Sequence, residues 1–537
     1  MATPNLLYYG DNLDVLRRHV ESESVDLIYL DPPFNSNRSY NVLFGSARGE
    51  EAQAQIEAFD DTWTWTPEAD ALYLELIRGG APSVVADAIQ SMHGLLGENA
   101  VLAYLVMMAA RLVELHRVLK PTGSMYLHCD PTASHYLKLL MDAVFGPKNF
   151  RNEIIWERTN AHNMKARMWP RTHDTLLLYT KSDDFRFDQQ FKPYGPEQMK
   201  RFKPDDQGRL YKAENLTFST ANPSRQFDWR GTRPPPNRSW GMSLEELEGL
   251  YARGRILLKK DGTPRMDGWK IYLDETQGKP VGTVWTDIER ISNTSAERLG
   301  YPTQKPLALL NRIIESSSEP GDLILDPFCG CGTTVDAAQA LGRRWIGIDV
   351  TYIAIDLIRR RLEDAYSGEA QFVIDGIPRD VPGAEALFRK SPFDFERWAV
   401  SLVYGQPNER QVGDRGIDGV IRFPLDRRGA FGRVLVSVKG GRQVNPAFVR
   451  DLLGTINAEG AAMGVLVTLV DPTRGMVDAA NRSGSYVWLV DGRSYPKIQL
   501  VTVQQLLDGY RLAMPPALTP YLSAPRHVPA VDQLSLG

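Results

Sequence analysis

Short apolar runs alternate with amphipathic stretches over residues 1–182. Strand-like runs fall at Val25–Asp31, Ser124–Asp130, Glu153–Trp156 and Thr175–Lys181, and helical spacing covers Leu102–Leu119 and Ser134–Phe145. Such alternation predicts a parallel α/β sheet. From about Asp183 to Leu299 apolar runs shorten, while proline, arginine and tryptophan become more frequent. The alternation then resumes with a helix at Leu307–Ser316, a strand at Leu323–Asp326, a helix at Thr334–Leu341, a strand at Trp345–Val350 and a helix to about Leu362. The block 183–300 therefore reads as an insertion between two halves of one sheet, 1–182 and 301–365. Residues 366–392, with Gly368, Pro378, Pro382 and Gly383, read as a linker. A second compact α/β unit follows at 393–500, and an irregular tail at 501–537 has five prolines after Met514. No internal repeat is visible.

The length of 537 residues is too great for one core and predicts several domains. Hydrophobic content of 43% and charged content of 24% are those of globular protein. The net charge of −4 argues against a nonspecific nucleic-acid coat. Charge is unevenly spread, however. Residues 151–300 hold 26 Lys/Arg and 21 Asp/Glu, a balance of +5, so the remainder carries −9. The three cysteines, Cys129, Cys329 and Cys331, lack zinc spacing and read as small buried thiols of a reducing cytoplasm. The start of the chain lacks a signal-peptide pattern. The longest apolar stretch, Val101–Val113, is interrupted by Arg111 and too short to cross a membrane.

Two strand-like runs end in chemistry-bearing tetrads. Val25–Asp31 leads directly into Asp31-Pro32-Pro33-Phe34, and Asp322–Asp326 leads into Pro327-Phe328-Cys329-Gly330-Cys331-Gly332-Thr333-Thr334. In the second, small residues would let backbone approach a nucleoside closely, and the following helix would point its first amides at it. The strand Trp345–Asp349 ends in an acid about 20 residues past the glycines, where a ribose-binding carboxylate belongs. The loop has no Gly-Lys-Ser/Thr ending, which argues against a phosphate-cradling NTPase.

Together the tetrads resemble the amino-methylating DNA methyltransferases. Catalytic motif first and cofactor motif second is the permuted order of the beta class of that family. The resemblance implies S-adenosylmethionine as cofactor, held by Asp326, Phe328, Gly330, Gly332, Thr333 and Asp349. Tyr301-Pro302-Thr303-Gln304-Lys305-Pro306 is similar to the segment over the methionine end of the cofactor, which implicates Thr303, Gln304 and Lys305. Gly10-Asp11-Asn12-Leu13 is similar to the adenine-contacting segment and adds Asp11.

Methyl transfer to an amino nitrogen needs no metal. The nucleophile is the difficulty, because its lone pair is shared with the ring. Asp31 and the carbonyl of Pro32 are expected to accept the two N–H bonds. Pro32 and Pro33 stiffen the loop, and Phe34 offers a face to the base. The base must be flipped out of the duplex. In the family an Asp-led tetrad leans towards adenine N6; cytosine N4 is the rival product. His128 and Asp130 end another strand on the same edge and are either pocket or purely structural residues. The inserted block is where the family reads its target, and Arg225, Arg230, Arg233 and Arg238 are the expected DNA contacts, with Gln226 or Asn237 as readers of adenine.

In the second unit, Glu396 falls on an apparent helix. Asp418 begins a hairpin whose second strand carries Ser437 and Lys439 on one face. This resembles Mrr-type restriction endonuclease domains of the PD-(D/E)xK group, which implies Mg²⁺ at Asp418 and water activation by Lys439. Ser437 stands where Glu or Gln is usual, so cleavage, DNA binding without cleavage, and a structural appendage all stay open. The resemblances imply double-stranded DNA as partner, no membrane, a cytoplasmic location, and either a homodimer or other subunits of a restriction or defence system. The rival from another class is a DNA-binding regulator with degenerate catalytic domains.

Overall fold

The computed structural model describes residues 4–33, 64–159, 168–220, 222–292, 295, 297–299, 304–366, 369–407, 416–425 and 431–516, and the strand pair Ser39–Leu43 and Gln55–Asp60. Phe34, Thr303 and most of the proline-rich tail lie outside the described residues.

A nine-stranded sheet forms the first body. In spatial order its strands are Val284–Trp285, Phe150–Glu157, His173–Thr180, Leu119–Cys129, Val25–Leu30, Leu323–Asp326, Arg344–Asp349, Asn5–Tyr9 and Phe372–Asp375. Val25–Leu30 and Leu323–Asp326 are apolar on both faces, so they pair in parallel at the centre, with Leu27 opposite Ile324. Helices Ala100–Val118 and Ser134–Phe145 bury Leu105, Leu112, Leu137 and Leu140 in the core that holds Ile28 and Leu30. Because these strands run in parallel, Asp31, Asp326 and Asp349 emerge on one edge, with Gly10 and Asp130 beside them.

The sheet is parallel, as expected, except at one strand. His173–Thr180 is antiparallel to both neighbours. No helix signal separates it from Phe150–Glu157, and without a crossover helix the chain can only turn back on itself.

The linker expectation is corrected as well. Phe372–Asp375 extends the sheet beside Asn5–Tyr9, and Val381–Lys390 is a helix. The glycines and prolines that suggested a linker have local duties. Gly376 turns at φ +85, where a Cβ would lie 2.1 Å from the Tyr9 carbonyl oxygen. Pro382 occupies the helix's first turn, where no amide is missed, and Asp380 caps it by accepting from the Gly383 N–H at 2.8 Å.

The C-terminal sheet has the order Gln406–Pro407, Gly419–Pro424, Phe431–Lys439, Met463–Thr468 and Ile498–Thr502. Period two sorts its residues. Val434, Val436, Val438, Met463, Val465 and Val467 face Phe395 and Trp398 of helix Pro392–Leu402. Leu435 and Leu466 face helices Pro446–Ala458 and Arg474–Arg482. The first of these cores continues onto Tyr352, with Tyr9 packed against it.

Gln189–Gly282 forms a separate compact unit. It has a four-stranded antiparallel sheet and a core of Leu216, Trp229, Trp240, Leu247 and Ile256. Among the described residues, no helix is long and apolar enough to cross a membrane.

Candidate functional site

The glycine loop is tied to the end of strand Arg344–Asp349. The Cys329 N–H donates to the Ile348 carbonyl at 3.0 Å, and the Gly330 N–H donates to Asp349 Oδ2 at 2.9 Å. Asp349 Oδ1 accepts from both the amide and the hydroxyl of Thr351 at 2.8 Å. A carboxylate has about four lone-pair positions, so capacity remains for a ligand hydroxyl. Gly332 adopts φ +75, and a Cβ there would lie 2.6 Å from Ile358 Cγ1, so the loop admits no side chain at this turn. Thr333 and Thr334 are buried as the following helix begins, and Phe328 packs half-buried against the main core.

Across the loop lies a network in which only Asp11 was expected from the sequence. Asn12 Nδ2 donates to the Pro327 carbonyl at 2.7 Å. Asn12 Oδ1 accepts from Arg111 Nε at 2.5 Å, and Arg111 Nη2 reaches Asp11 Oδ2 at 2.8 Å. Asp11 Oδ1 caps helix Asn12–His19 by accepting from the Leu13 N–H at 2.8 Å. The charge that interrupts the apolar helix thus braces Asp11 and, through Asn12, the Pro327 carbonyl at the start of the glycine loop. Its signal was present as the one cation in Val101–Val113, but its partners lie about a hundred residues away.

Asp31 leaves the central strand beside buried Pro32 and half-buried Pro33. Its Oδ2 is ion-paired and hydrogen-bonded to Lys305 Nζ, and its buried Oδ1 has no hydrogen-bond partner among the described residues. Gln304 braces the loop carrying Lys305: its Oε1 accepts from the Leu299 N–H at 2.8 Å and its Nε2 donates to the Glu297 carbonyl at 2.8 Å. Asp326 is pushed up to about 7. Burial is the main cause; Thr334 and the Phe328 amide oppose it, and the charges of Asp31 and Asp349 reinforce it. Asp349 is raised too, again by burial.

Behind Asp31 runs a buried polar chain. His128 lies between the Tyr29 hydroxyl, 2.8 Å from Nδ1, and Asp174 Oδ2, 3.2 Å from Nε2. Because Asp174 accepts, Nε2 carries the proton and Nδ1 accepts from Tyr29. Arg158 Nε approaches the other Asp174 oxygen to 3.2 Å, an ionic contact without hydrogen-bond geometry. Asp174 lies below the usual carboxylate range: burial raises it, but His128 and Arg158 outweigh that. Tyr29 and Asp174 were missed in the sequence; an acid in the buried run His173–Thr180 was the available signal. Asp130 Oδ1 accepts from the Thr132 and Ala133 amides at 2.9 and 3.1 Å, closing the turn into helix Ser134–Phe145.

Within the Gln189–Gly282 unit, three of the four singled-out arginines have local partners. Arg225 donates to the Gly241 carbonyl at 2.7 Å. Arg230 pairs with Glu248 at 2.7 Å and lies 3.8 Å over the Tyr251 ring. Arg238 donates to Thr217 Oγ1 and O at 2.9 and 2.8 Å. Arg233 and Asn237 are exposed, and Gln226 donates to the Pro236 and Arg238 carbonyls at 2.7 Å.

The C-terminal unit brings Asp418, Ser437 and Lys439 together. Asp418 Oδ2 accepts from the Val438 N–H at 2.5 Å and lies 3.4 Å from Ser437 Oγ and 3.8 Å from Lys439 Nζ. Glu396 is half-buried on helix Pro392–Leu402. Among the described residues no group of three or more His, Cys, Asp or Glu is placed to hold a metal, so the Mg²⁺ expectation gains no support.

Residues 392–508 match the family of NACHT-associated inactive restriction endonucleases 1. The chain is 28% identical to the type II methyltransferase M.EcaI of Enterobacter cloacae, over 67% of this chain and 70% of the relative. It is 26% identical to the type III restriction-modification enzyme StyLTI Mod subunit of Salmonella typhimurium, over 63% of this chain but only 50% of the relative. It is 25% identical to the DNA adenine methyltransferase YhdJ of Escherichia coli, over 68% and 85%. Among solved structures, the cytosine-N4-specific PvuII DNA methyltransferase is similar with TM-score 0.34 and 12% identity, covering 74% of this chain and 93% of that one. Residues 25–360, more than half of the 537, match the DNA methylase family, and the chain belongs to this N6/N4 DNA methyltransferase family.

Proposed function

We propose that this protein transfers a methyl group from S-adenosylmethionine to the N6 of an adenine flipped out of double-stranded DNA, as a permuted beta-class enzyme. The observation that carries this reading is Asp31, which follows the central strand with Oδ2 held by Lys305 and a buried Oδ1 that has no hydrogen-bond partner among the described residues. That oxygen is suited to accept one N–H of an amino group, and the Pro32 carbonyl to accept the second, which favours a pyramidal, nucleophilic nitrogen. The cradle of Gly330, Gly332 and Asp349, braced by Asn12 and Arg111, fits a nucleoside cofactor. When bound, S-adenosylmethionine supplies a methyl already activated on sulfur. The chain's residues need only position the base and exclude water. Relatives named as type II and type III enzymes support a restriction-modification setting.

The test is tritium transfer from labelled cofactor to unmethylated DNA, followed by mass spectrometry of the nucleosides. N6-methyladenine is expected. N4-methylcytosine as the sole product would overturn the adenine assignment.

The cofactor is cationic and should prefer Asp326 ionised. With Asp326 near 7 in the empty protein, binding below that pH must displace its proton. Affinity should therefore fall by up to about tenfold per pH unit below about 7, and titration calorimetry should show proton release in buffers of different ionisation enthalpy. Asp326→Asn should flatten this dependence. The same slope in the variant would show that another group titrates.

For the C-terminal unit the favoured reading is a DNA-guiding domain that does not cleave. The match to an inactive family, and Ser437 standing beside Asp418 where Glu or Gln is usual, support it. Wild-type protein should not nick unmethylated plasmid with Mg²⁺ or Mn²⁺ beyond the buffer control. Ser437→Glu, which puts a carboxylate beside Asp418, should strengthen metal binding. Vigorous wild-type cleavage that survives Asp418→Ala would refute this reading.

A further inference from the structure

Strands Phe150–Glu157 and His173–Thr180 are antiparallel, so the chain leaves the first and enters the second at the same sheet edge as Asp31. The base of this hairpin is firmly closed. The Arg158 and Thr159 amides donate to the Thr172 carbonyl at 3.0 and 3.2 Å. Arg158 reaches Asp174, whose chain through His128 and Tyr29 lies behind Asp31. Arg171 Nη1 donates to Thr132 Oγ1 at 2.9 Å, in the turn after the strand adjoining that of Asp31. On this anchored base Trp169 is 94% exposed and its neighbour Met168 76%. Pro170 restricts the backbone directly behind the indole.

The sequence charge of the hairpin points to its partner. From Arg158 to His173 there are Arg158, Lys165, Arg167 and Arg171 and no carboxylate. A flat apolar ring in a sequence segment that carries cations and no acid matches a base stack flanked by phosphates; a purely protein partner would not require the exclusion of acid.

Resting on the proposed DNA-methylating function, we infer that Trp169 inserts into the duplex and fills the gap left by the flipped target base. Extrusion unstacks two neighbours and leaves a hole that water fills poorly. An indole stacked there stabilises the extruded state, as apolar wedges do at kinked steps. Trp169 is thus a positioning residue: it touches the duplex and acts on the base through its former neighbours. Arg158 and Arg171 hold the hairpin to the strands around the catalytic carboxylate.

The test uses the full chain and a duplex carrying the site mapped by sequencing DNA that the wild type has methylated. Trp169→Ala should fold and bind cofactor normally, because its side chain is exposed. Its kcat/KM on the paired duplex should fall roughly tenfold or more, the scale of one lost base–aromatic stack. Opposite an abasic site the target is already unpaired, so the deficit should shrink to within about twofold, and Trp169→Phe should retain most activity on the paired duplex. Equal activity of Trp169→Ala and wild type on the paired duplex, or an equal deficit on both duplexes, overturns the inference while leaving the function intact. A wild type that transfers no methyl group to any DNA overturns the proposed function and this inference with it.

Discussion

Asp31→Ala should reduce methyl transfer by about a thousandfold or more while leaving cofactor affinity within a few-fold. The asymmetry follows from placement. The proposed cofactor cradle consists of Asp349, the glycine loop and the Asn12–Arg111 network, and no hydrogen bond from these groups to Asp31 is found among the described residues; of the proposed cofactor residues Lys305 is paired with it. Asp31 instead places a buried Oδ1, without a hydrogen-bond partner among the described residues, where the central strand ends. Removing it also leaves Lys305, whose side chain is 9% exposed, without its carboxylate. Breaking such a pair from one side costs about 3 kcal/mol when no other partner compensates. Asp174 acts on the field around Lys305 and offsets part of that loss. Thermal unfolding of Asp31→Ala and of Asp31→Ala/Lys305→Met separates stability from catalysis: the double variant should regain stability without activity. Single-turnover transfer with calorimetry of cofactor binding completes the measurement. Comparable losses of cofactor affinity in Asp31→Ala and Asp349→Ala would sink the division between base side and cofactor side.

Local pattern and long-range pairing differ in how far the sequence reveals them. The apolar runs and the two tetrads identify the central strands, because burial on both faces and the turn chemistry are properties of consecutive residues. The same local reading places helix Ser134–Phe145 and the hairpin that carries Asp418 and Lys439. It fails where meaning depends on a distant partner. Lys305 and Asp31 are 274 positions apart, and Arg111 and Asn12 are 99 apart. Arg111 accordingly reads only as a break in an apolar helix. For Arg225, Arg230 and Arg238, expected from the sequence as DNA contacts, the sequence does not show that Glu248 and backbone carbonyls meet them in the fold. Residues 366–392 fail for another reason: proline in a first helical turn and glycine at positive φ are structural punctuation as well as linker chemistry.

Trp398→Ala should destabilise the protein by about 3–5 kcal/mol, and the loss should reach the cofactor side of the first body. Trp398 is 1% exposed in a core shared by the C-terminal sheet and Tyr352. Tyr352 opens the helix after Asp349, and Ser401 of the neighbouring helix donates to the Trp398 carbonyl at 2.6 Å. Tyr9 immediately precedes Gly10 and Asp11, packs on the same core and meets the Tyr352 ring edge-on at 6.0 Å. A cavity at Trp398 thus loosens the backing of both segments that flank the cradle, and cofactor affinity should fall with stability. Leu452→Ala is the control. Leu452 is also buried, at 3%, but on the opposite face of the C-terminal sheet among Val449, Ile456 and Met476. It should cost a comparable free energy of unfolding while leaving cofactor affinity close to wild type. Thermal melting with and without cofactor, together with calorimetric titration, distinguishes the two variants. If Trp398→Ala unfolded the C-terminal unit in a separate transition and left both the main transition and cofactor binding unchanged, the two sheets would be energetically independent despite their common core.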